Sequence, residues 1–258
     1  MNAYCAADWH GCMWIWNKVK EKLKPDDILY FLGDSTDRGP DGWELFKQLI
    51  DDPRVIYIKG NHDNFIWENL GNINPKNYDA DLIRWDGNMD LWYYNGGEPT
   101  YEAFFDDKLP IEKKVEYVKK IAQMPLYIEF TNTYGDKILL SHAGTDNFEN
   151  IEAVDEEHWI WNRNHWMFAD SWFGKDNEYI IHGHTPIELM IERQEEYAEW
   201  YEGTEKEVKM PTYNGHGAYF YGKGHKICID TGAVWNNEAV LLNLDTWEET
   251  LIKNENKE

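Results

Sequence analysis

Basic residues are scarce in this sequence. Its 258 residues include 25 lysines and arginines against 48 aspartates and glutamates, so the formal net charge at pH 7 is −23. A surface of that sign repels phosphate backbones and anionic lipids, so we expect neither a nucleic-acid duplex nor a membrane as a partner. An anionic substrate would need local positive charge, from a few arginines or from metal ions.

Cysteines and long apolar runs are also few. The three cysteines, Cys5, Cys12 and Cys228, are an odd number without metal-type spacing, which fits a reducing compartment. No stretch approaches the roughly 20 apolar residues that span a bilayer, and the first ten residues show no signal peptide. We therefore expect a cytoplasmic protein.

The first sixty residues alternate between strand-like and helical patterns. Strand-like runs end before Asp8, at Gly33 and at Gly60, and helical spacing is present in "MWIWNKVKEKL" (13–23) and "DGWELFKQLI" (41–50). This β-α-β-α-β order predicts parallel strands joined by right-handed crossovers. Their carboxyl ends should share one edge of the sheet, which is where open α/β sheets bind ligands.

The remainder of the chain completes a predicted α/β protein with a single domain over residues 1–258. Residues 65–125 are mostly helical in pattern. Further strands are predicted at 126–130, 137–141, 178–182, 226–230 and 238–244. Residues 190–225 are rich in Glu, Tyr and Gly, and we expect them to form an irregular hairpin or an insertion.

Side chains able to bind metals or phosphate collect where the predicted strands end. They are Asp8, His10, Asp34, Asp37, Arg38, Asn61, His62, Asp63, His142, His184 and Asp230. Asp, Asn, His and Gly are ordinary turn residues, so each loop alone is unremarkable. Five such loops on one predicted sheet edge are hard to explain as turns alone, and they indicate a site.

The order of these motifs resembles that of the calcineurin-like metallophosphoesterases: D-x-H, G-D-x-x-D-R-G, G-N-H-D, H and G-H. "NGGEPT" (95–100), "WIWNR" (159–163) and "IDTGAV" (229–234) extend the resemblance to one branch. That branch contains the bacteriophage lambda-type protein phosphatase and bacterial dinucleoside tetraphosphatases. The resemblance implies a metallophosphoesterase fold, with a β-sandwich core flanked by helices. The second His of the G-H-x-H nuclease motif is absent after His184, which argues against a nuclease.

The resemblance also implies two divalent metal ions, most simply Mn²⁺, with Fe or Zn as alternatives. A first ion would be bound by Asp8, His10 and Asp34, and a second by Asn61, His142 and His184, with Asp34 bridging both. These carboxylate, amide and imidazole ligands suit such ions. Two ions about 4 Å apart can activate a bridging hydroxide for direct attack on phosphorus and hold the phosphoryl oxygens.

By the same resemblance, His62 is the general acid that protonates the leaving oxygen, and the carboxylate of Asp37 orients it. Arg38 and Arg163, together with Asn61, are expected to bind the substrate phosphate, because a guanidinium fork matches two phosphoryl oxygens.

The implied activity is hydrolysis of phosphomonoesters, with Ser/Thr (or Tyr) phosphoproteins or small phosphoesters as substrates. Symmetrical hydrolysis of dinucleoside polyphosphates is the alternative, and a catalytically inactive binding module is a second one. A polyphosphate needs further cations, and the candidates are scattered singly: Lys76, Arg84, Lys175 and Arg193.

Four positions near these motifs have simpler interpretations. Asp63 is expected to support its loop, and His182 to be a buried histidine with its hydrogen bonds satisfied. Cys12 is expected to be a small core residue. Asp230 is a candidate for orienting a metal ligand from outside the ligand set.

Overall fold

The computed structural model of the protein describes residues 1–77, 87–145, 150–172, 174–204 and 207–255. Its strands, in chain order, are β1 (Ala3–Ala6), β2 (Ile28–Phe31), β3 (Val55–Tyr57), β4 (Tyr127–Thr131), β5 (Lys137–Ser141), β6 (Glu178–His182), β7 (Tyr219–Tyr221), β8 (Lys226–Cys228), β9 (Glu238–Asn243) and β10 (Glu249–Lys253). Its α-helices are α1 (Met13–Lys22), α2 (Gly42–Asp51), α3 (Asn61–Leu70), α4 (Gly87–Tyr94), α5 (Glu98–Asp106), α6 (Ile111–Ile121), α7 (Glu156–Trp161), α8 (Ile187–Tyr201) and α9 (Ala233–Asn236).

The strands form two mixed sheets of five strands each. The first sheet has the order β10-β9-β1-β2-β3, and the second has the order β4-β5-β6-β8-β7. In the first sheet β1, β2 and β3 are parallel, with Ala3 opposite Ile28 and Leu29 opposite Val55. In the second sheet β5, β6 and β8 are parallel and the outer strands are antiparallel. The predicted β-α-β-α-β start of the chain is therefore confirmed.

The two sheets pack face to face around an apolar layer. Strand alternation builds this layer, since Ile138 and Leu140 of β5 enter it while Leu139 points to the opposite face. Tyr30 of β2 and Phe130 of β4 stack across the layer with ring centroids 5.4 Å apart. This is the predicted β-sandwich core.

Helices cover the outer faces of this sandwich. The outer face of the first sheet is covered by a second apolar cluster to which α2 contributes Trp43, Phe46 and Leu49. A spacing of three residues puts these side chains on one side of the helix, which explains why this segment is helical and how it binds the sheet. Within the described residues, no helix combines the length and apolarity that crossing a membrane requires.

Two sequence predictions need correction. An irregular hairpin or insertion over 190–225 is wrong for its first part, because α8 continues to Tyr201 and buries Ile187, Met190 and Gln194 at helical spacing. The end of the stretch is a hairpin, in which β7 pairs antiparallel with β8. The ligand loops also do not share one sheet edge: they come from both sheets, and the packing of the sandwich brings the strand ends together.

The apolar layer predicts a difference between two leucines on neighbouring strands. Leu242 of β9 is fully buried between the sheets, whereas Leu251 of β10 is 39% exposed. Leu242→Ala should lower the free energy of unfolding by about 2–5 kcal/mol, because it leaves a cavity. Leu251→Ala is the matched control and should change it by less than about 1 kcal/mol. Urea unfolding measures both, and equal losses would contradict the proposed packing of the two sheets.

Candidate metal centre and phosphate site

Left-handed backbone is concentrated in the loops at the strand ends. Of the nine described non-glycine residues with positive φ, six belong to the predicted site: Asp8, His10, Asp34, Asp37, Arg38 and His184. Such conformations cost about 1–3 kcal/mol each and persist only where the surroundings enforce them. Loop-to-loop hydrogen bonds do so here, since the amide of His10 donates to the carbonyl of Asp34 at 3.0 Å and Gly39 donates back to His10 at 3.0 Å.

Two glycines let carboxylates of the site lie directly on the backbone. A Cβ at Gly60 would collide with Oδ1 of Asp34, and a Cβ at Gly183 would collide with Oδ2 of Asp8. Only glycine permits such close approach. The glycines of the G-N-H-D and G-H motifs therefore have a packing reason that is specific to this site.

Histidines from the second sheet connect it to the first sheet at this edge. Nδ1 of His142, after β5, donates to the carbonyl of Leu32 at 2.7 Å. The amide of His184, after β6, donates to the carboxylate of Asp8 at 3.1–3.2 Å. The strand ends of both sheets are thereby held within hydrogen-bonding distance of each other, and they form one site.

Four side chains direct their polar atoms toward a common point: Asn61, His142, His184 and Asp34. Oδ1 of Asn61 lies 2.9 Å from Nε2 of His142 and 2.9 Å from Nδ1 of His184. Oδ2 of Asp34 lies 3.3 Å from the same Nε2. Nδ1 of His142 carries the proton that is donated to Leu32, so Nε2 of His142 has none in the neutral ring. Nε2 and the oxygens of Asn61 and Asp34 then point lone pairs at one another, unless a proton or a cation lies between them. Nε2 of His184 is buried and has no hydrogen-bond partner among the residues that the structure describes.

Charge in this group is shared between Asp34 and His142. Burial disfavours a charged His142, but the carboxylate of Asp34 overrides burial and raises the pKa of His142 to about 10. Burial also acts against the charge on Asp34, yet the positive His142 holds the pKa of Asp34 well below its usual range. Burial and the positive His142 both lower the pKa of His184. The group needs one positive charge at its centre, and a divalent ion can replace the proton there.

A second group shares Asp34. Possible ligand atoms of His10, Asp34 and His62 lie within 4.8 Å of one another, as do those of Asp34, His142 and His184. Asp34 is common to both groups, which is the arrangement that a bridging carboxylate requires. Asp8 is in neither group, and His62 takes its place beside His10. The carboxylate and imidazole atoms of these two donor groups are ligands that fit two divalent ions. The assignment of Asp8 as a metal ligand stays a prediction.

His62 and Asp37 form a buried pair. Nδ1 of His62 donates to Oδ2 of Asp37 at 2.7 Å, and both side chains are at most 1% exposed. This contact fixes the ring so that Nε2 faces the site. Arg38 donates to that Nε2 at 3.0 Å and to Nε2 of His10 at 2.5 Å. For Arg38 to bind a phosphate, its guanidinium has to exchange these imidazole contacts for phosphoryl oxygens.

Arg163 and Asn61 line a cleft of about 910 Å³ beside the site. Partial burial and the neighbouring Arg38 lower the pKa of Arg163, so the two guanidinium groups are close enough to repel each other. Trp161 forms part of the cleft wall and Trp159 is buried.

The residues with simpler interpretations behave as expected where the structure bears on them. Asp63 accepts hydrogen bonds from the amides of Gly60 and Asp34, and so supports its loop. His182 bonds to the hydroxyl of Tyr221 at 2.7 Å and to a backbone carbonyl. Cys12 is buried.

Asp230 lies near the site but outside both donor groups. Its Oδ1 accepts a hydrogen bond from the amide of Gly232 at 2.9 Å. Burial raises the pKa of Asp230 to about 6. Burial and the negative Asp230 also raise the pKa of Asp8. Asp230 therefore lies close enough to Asp8 for the two charges to interact, and an orienting role toward a metal ligand stays a prediction.

Two tryptophans contact the site and were missed by sequence reasoning. Trp92 Nε1 donates to Oδ2 of Asp37 at 2.8 Å. Trp235 lies under Arg38, with 5.1 Å between its ring centroid and the guanidinium carbon. Their only sequence signal is their position, shortly before "NGGEPT" and directly after "IDTGAV", because a chain with 14 tryptophans does not single them out.

Two mixed sheets thus bring aspartate, histidine and asparagine side chains that could hold metal ions together at the strand ends. A family model described as calcineurin-like phosphoesterase matches residues 1–226, and the chain belongs to that family.

Individual relatives are distant. The serine/threonine-protein phosphatase 2 of Escherichia coli (strain K12) is 27% identical over 137 residues, which is 52% of this chain and 54% of that protein. This alignment therefore spans about half of that relative's length. The symmetrical bis(5'-nucleosyl)-tetraphosphatase of Stutzerimonas stutzeri (strain A1501) is 22% identical over 275 residues, with 96% of both chains covered. A metallophosphoesterase structure from Sphaerobacter thermophilus shares the fold, with a TM-score of 0.54, 15% identity and coverage of 99% and 88%.

The shared position of Asp34 predicts an asymmetry between two aspartates. Metal-free protein should have negligible activity on an aryl phosphate, and Mn²⁺ should restore it. Asp34→Asn should lose both ions because it removes the ligand common to both groups, whereas Asp8→Asn should do less damage. Elemental analysis and aryl phosphate hydrolysis measure the two effects.

Asp41→Asn is the control for this comparison, because this exposed aspartate follows the same loop without contributing to either group. It should retain metal and activity. An active enzyme with a single ion per chain would contradict the dinuclear assignment.

Proposed function

We propose that this protein hydrolyses phosphomonoesters on Ser or Thr (or Tyr) residues of proteins, in a metal-dependent reaction without a phosphoenzyme. The observation that carries the proposal is the buried His62–Asp37 pair at Asp34: Asp37 holds one ring nitrogen of His62, and His62 belongs to one of the two groups that share Asp34. An acid next to a cation-binding centre is what cleavage of a phosphate ester requires.

The donor groups support the cofactor. Asp8, His10 and Asp34 would hold one ion, and Asn61, His142 and His184 the other, with Mn²⁺ as the proposed metal. Ions bound there would supply an activated water and positive charge for the phosphoryl oxygens. An inactive binding module would have no need for both donor groups and the acid together, so the intact set argues against that alternative.

The residues of the chain itself have separate roles in this proposal. Asp37 holds His62 through Nδ1. Once Arg38 has left Nε2 for the phosphate, Nε2 can take up a proton from water and give it to the departing oxygen. Asp37 remains a carboxylate throughout and stabilises the ring by its charge. Arg38 and Arg163 offer two guanidinium forks to the phosphoryl group, which has three free oxygens in a monoester.

The charge in the cleft supports a phosphoprotein over a polyphosphate. Among the lining residues that the structure describes, Lys59 and Arg163 are cationic, and Glu156 neutralises Lys59 at 2.8 Å. Glu68 and Glu157 add negative charge to the same walls. A substrate with several phosphates would meet net repulsion beyond Arg163, whereas a peptide with one phosphate would not.

Two of the cations scattered along the sequence are paired with neighbouring glutamates. Lys175 pairs with Glu178 at 3.4 Å, and Arg193 pairs with Glu196 at 2.8 Å. Arg84 lies outside the described residues. Dinucleoside polyphosphate hydrolysis remains the alternative, because the alignment with the Stutzerimonas stutzeri enzyme covers 96% of this chain.

The acid role predicts a dependence on the leaving group. His62→Ala should lower kcat by about 10²–10⁴-fold on an alkyl phosphate such as phosphoserine, the range for a lost general acid. The loss should be much smaller for 4-nitrophenyl phosphate, whose leaving group needs no proton. Metal content should be unchanged. Equal losses on the two substrates would remove His62 from this role.

The charge of the cleft predicts the preferred substrate class. On one Mn²⁺-loaded preparation, kcat/KM for a phosphoserine peptide should exceed that for diadenosine tetraphosphate. The salt dependence provides a control, since added salt screens repulsion and should favour the dinucleotide relative to the peptide. A preference of about tenfold or more for the dinucleotide at low salt would replace the protein-phosphatase proposal with the polyphosphatase one.

A further inference from the structure

The segment Trp92–Thr100, "WYYNGGEPT", includes the motif "NGGEPT" but supplies none of the groups that react in the proposed function. It contains the end of α4 and the start of α5. We call it the clamp segment, because three of its residues hold the turn that carries Asp37 and Arg38.

Three hydrogen bonds of similar length join the clamp segment to this turn. The indole Nε1 of Trp92 donates to Oδ2 of Asp37 at 2.8 Å. The amide of Asp37 donates to Oγ1 of Thr100 at 2.8 Å. The amide of Arg38 donates to the carbonyl of Gly96 at 2.8 Å. Trp92, Thr100 and Asp37 are all fully buried, so water cannot replace any partner that is removed.

The turn requires such support. Asp37 and Arg38 are consecutive residues in left-handed conformation, with φ of 68° and 61°. Neither is glycine, so both conformations are unfavourable without external contacts. The clamp segment supplies contacts to the backbone of both residues and to the carboxylate of the first.

The bond from Trp92 also completes the environment of the acid pair. Oδ2 of Asp37 accepts from both Trp92 and Nδ1 of His62, whereas Oδ1 is buried without a partner in the described structure. The indole is therefore the second of two donors that fix the carboxylate. Without it, a buried carboxylate would be held by His62 alone.

The two glycines of the motif serve the same arrangement. A Cβ at Gly97 would collide with the indole of Trp92, so only glycine leaves room for the ring at this position. Gly96 has a φ of 92° and directs its carbonyl at the amide of Arg38. The sequence N-G-G is thus explained by the position of Trp92 and by the bond to Arg38.

We propose that Trp92 and Thr100 are positioning residues for the general acid: they hold Asp37, and through it they direct Nε2 of His62 at the leaving oxygen. This inference rests on the proposed function. In the reaction, the proton moves from Nε2 of His62 to the oxygen that departs from phosphorus, and Asp37 keeps its negative charge.

The first experiment uses Trp92→Phe, which keeps an aromatic ring in place and removes the N–H. In the full-length, Mn²⁺-loaded enzyme, kcat on a phosphoserine peptide should fall about tenfold, a fraction of the effect of losing the acid itself. On 4-nitrophenyl phosphate it should fall less than about twofold, and KM should be unchanged for both. In a His62→Ala background, Trp92→Phe should have no further effect, because residues that act as one unit are not additive.

Trp43→Phe is the matched control. Trp43 is also buried, and its Nε1 donates to a carboxylate oxygen of Asp107 at 2.8 Å, away from the site. Trp43→Phe also loses an indole-to-carboxylate hydrogen bond, so its thermal unfolding should resemble that of Trp92→Phe. Its kcat on both substrates should stay unchanged. A second pair covers the case in which Trp92→Phe fails to fold: Thr100→Val should show the leaving-group dependence, and Thr100→Ser should restore wild-type kcat.

The outcomes separate this inference from the proposed function. If wild-type enzyme hydrolyses both substrates but Trp92→Phe and Thr100→Val lose activity equally on them, the inference is overturned and the proposed function stands. An additive loss in the His62→Ala background has the same meaning. If Mn²⁺-loaded wild-type enzyme hydrolyses neither substrate, the proposed function fails and the inference fails with it.

Discussion

The structure depends on one electrostatic constraint, the burial of Asp34 at the meeting point of two sheets. Its carboxylate is 1% exposed and faces His142 from the opposite sheet. A buried carboxylate is unfavourable unless positive charge and hydrogen bonds compensate for its lost hydration. His142, held by the carbonyl of Leu32, provides both when it is protonated. The same need for positive charge makes the position suitable for a divalent ion.

The loops around Asp34 adopt conformations that they would not adopt alone. Six left-handed non-glycine residues lie in three short loops, which follow β1, β2 and β6 of the sandwich. The apolar layer between the sheets provides the free energy that holds these loops in place, since it buries residues from both sheets, such as Leu242 of the first and Leu140 of the second. The stability of the core thus fixes the geometry of the candidate site at its edge.

Much of the fold and site could be predicted from the sequence because local patterns determine it. Parallel strands follow from β-α-β-α-β periodicity, and the ligand types follow from strand-end motifs such as "GNHDN". Helix α8 was missed because its composition, rich in Glu and Tyr, hid the spacing of its few buried residues. Trp92 was missed for a different reason: its contact with Asp37 spans 55 residues, and no local pattern encodes a long-range hydrogen bond.

The charges of the site also explain why a cofactor matters for binding as well as for chemistry. Five buried carboxylates surround it: Asp8, Asp34, Asp37, Asp63 and Asp230. Arg38 and the protonated His142 compensate part of this charge, and Arg38 is already bonded to two imidazoles. A phosphate dianion also approaches a chain whose net charge is −23. Divalent cations bound there would add positive charge, so under the proposed function metal loading would favour substrate binding as well as the chemistry.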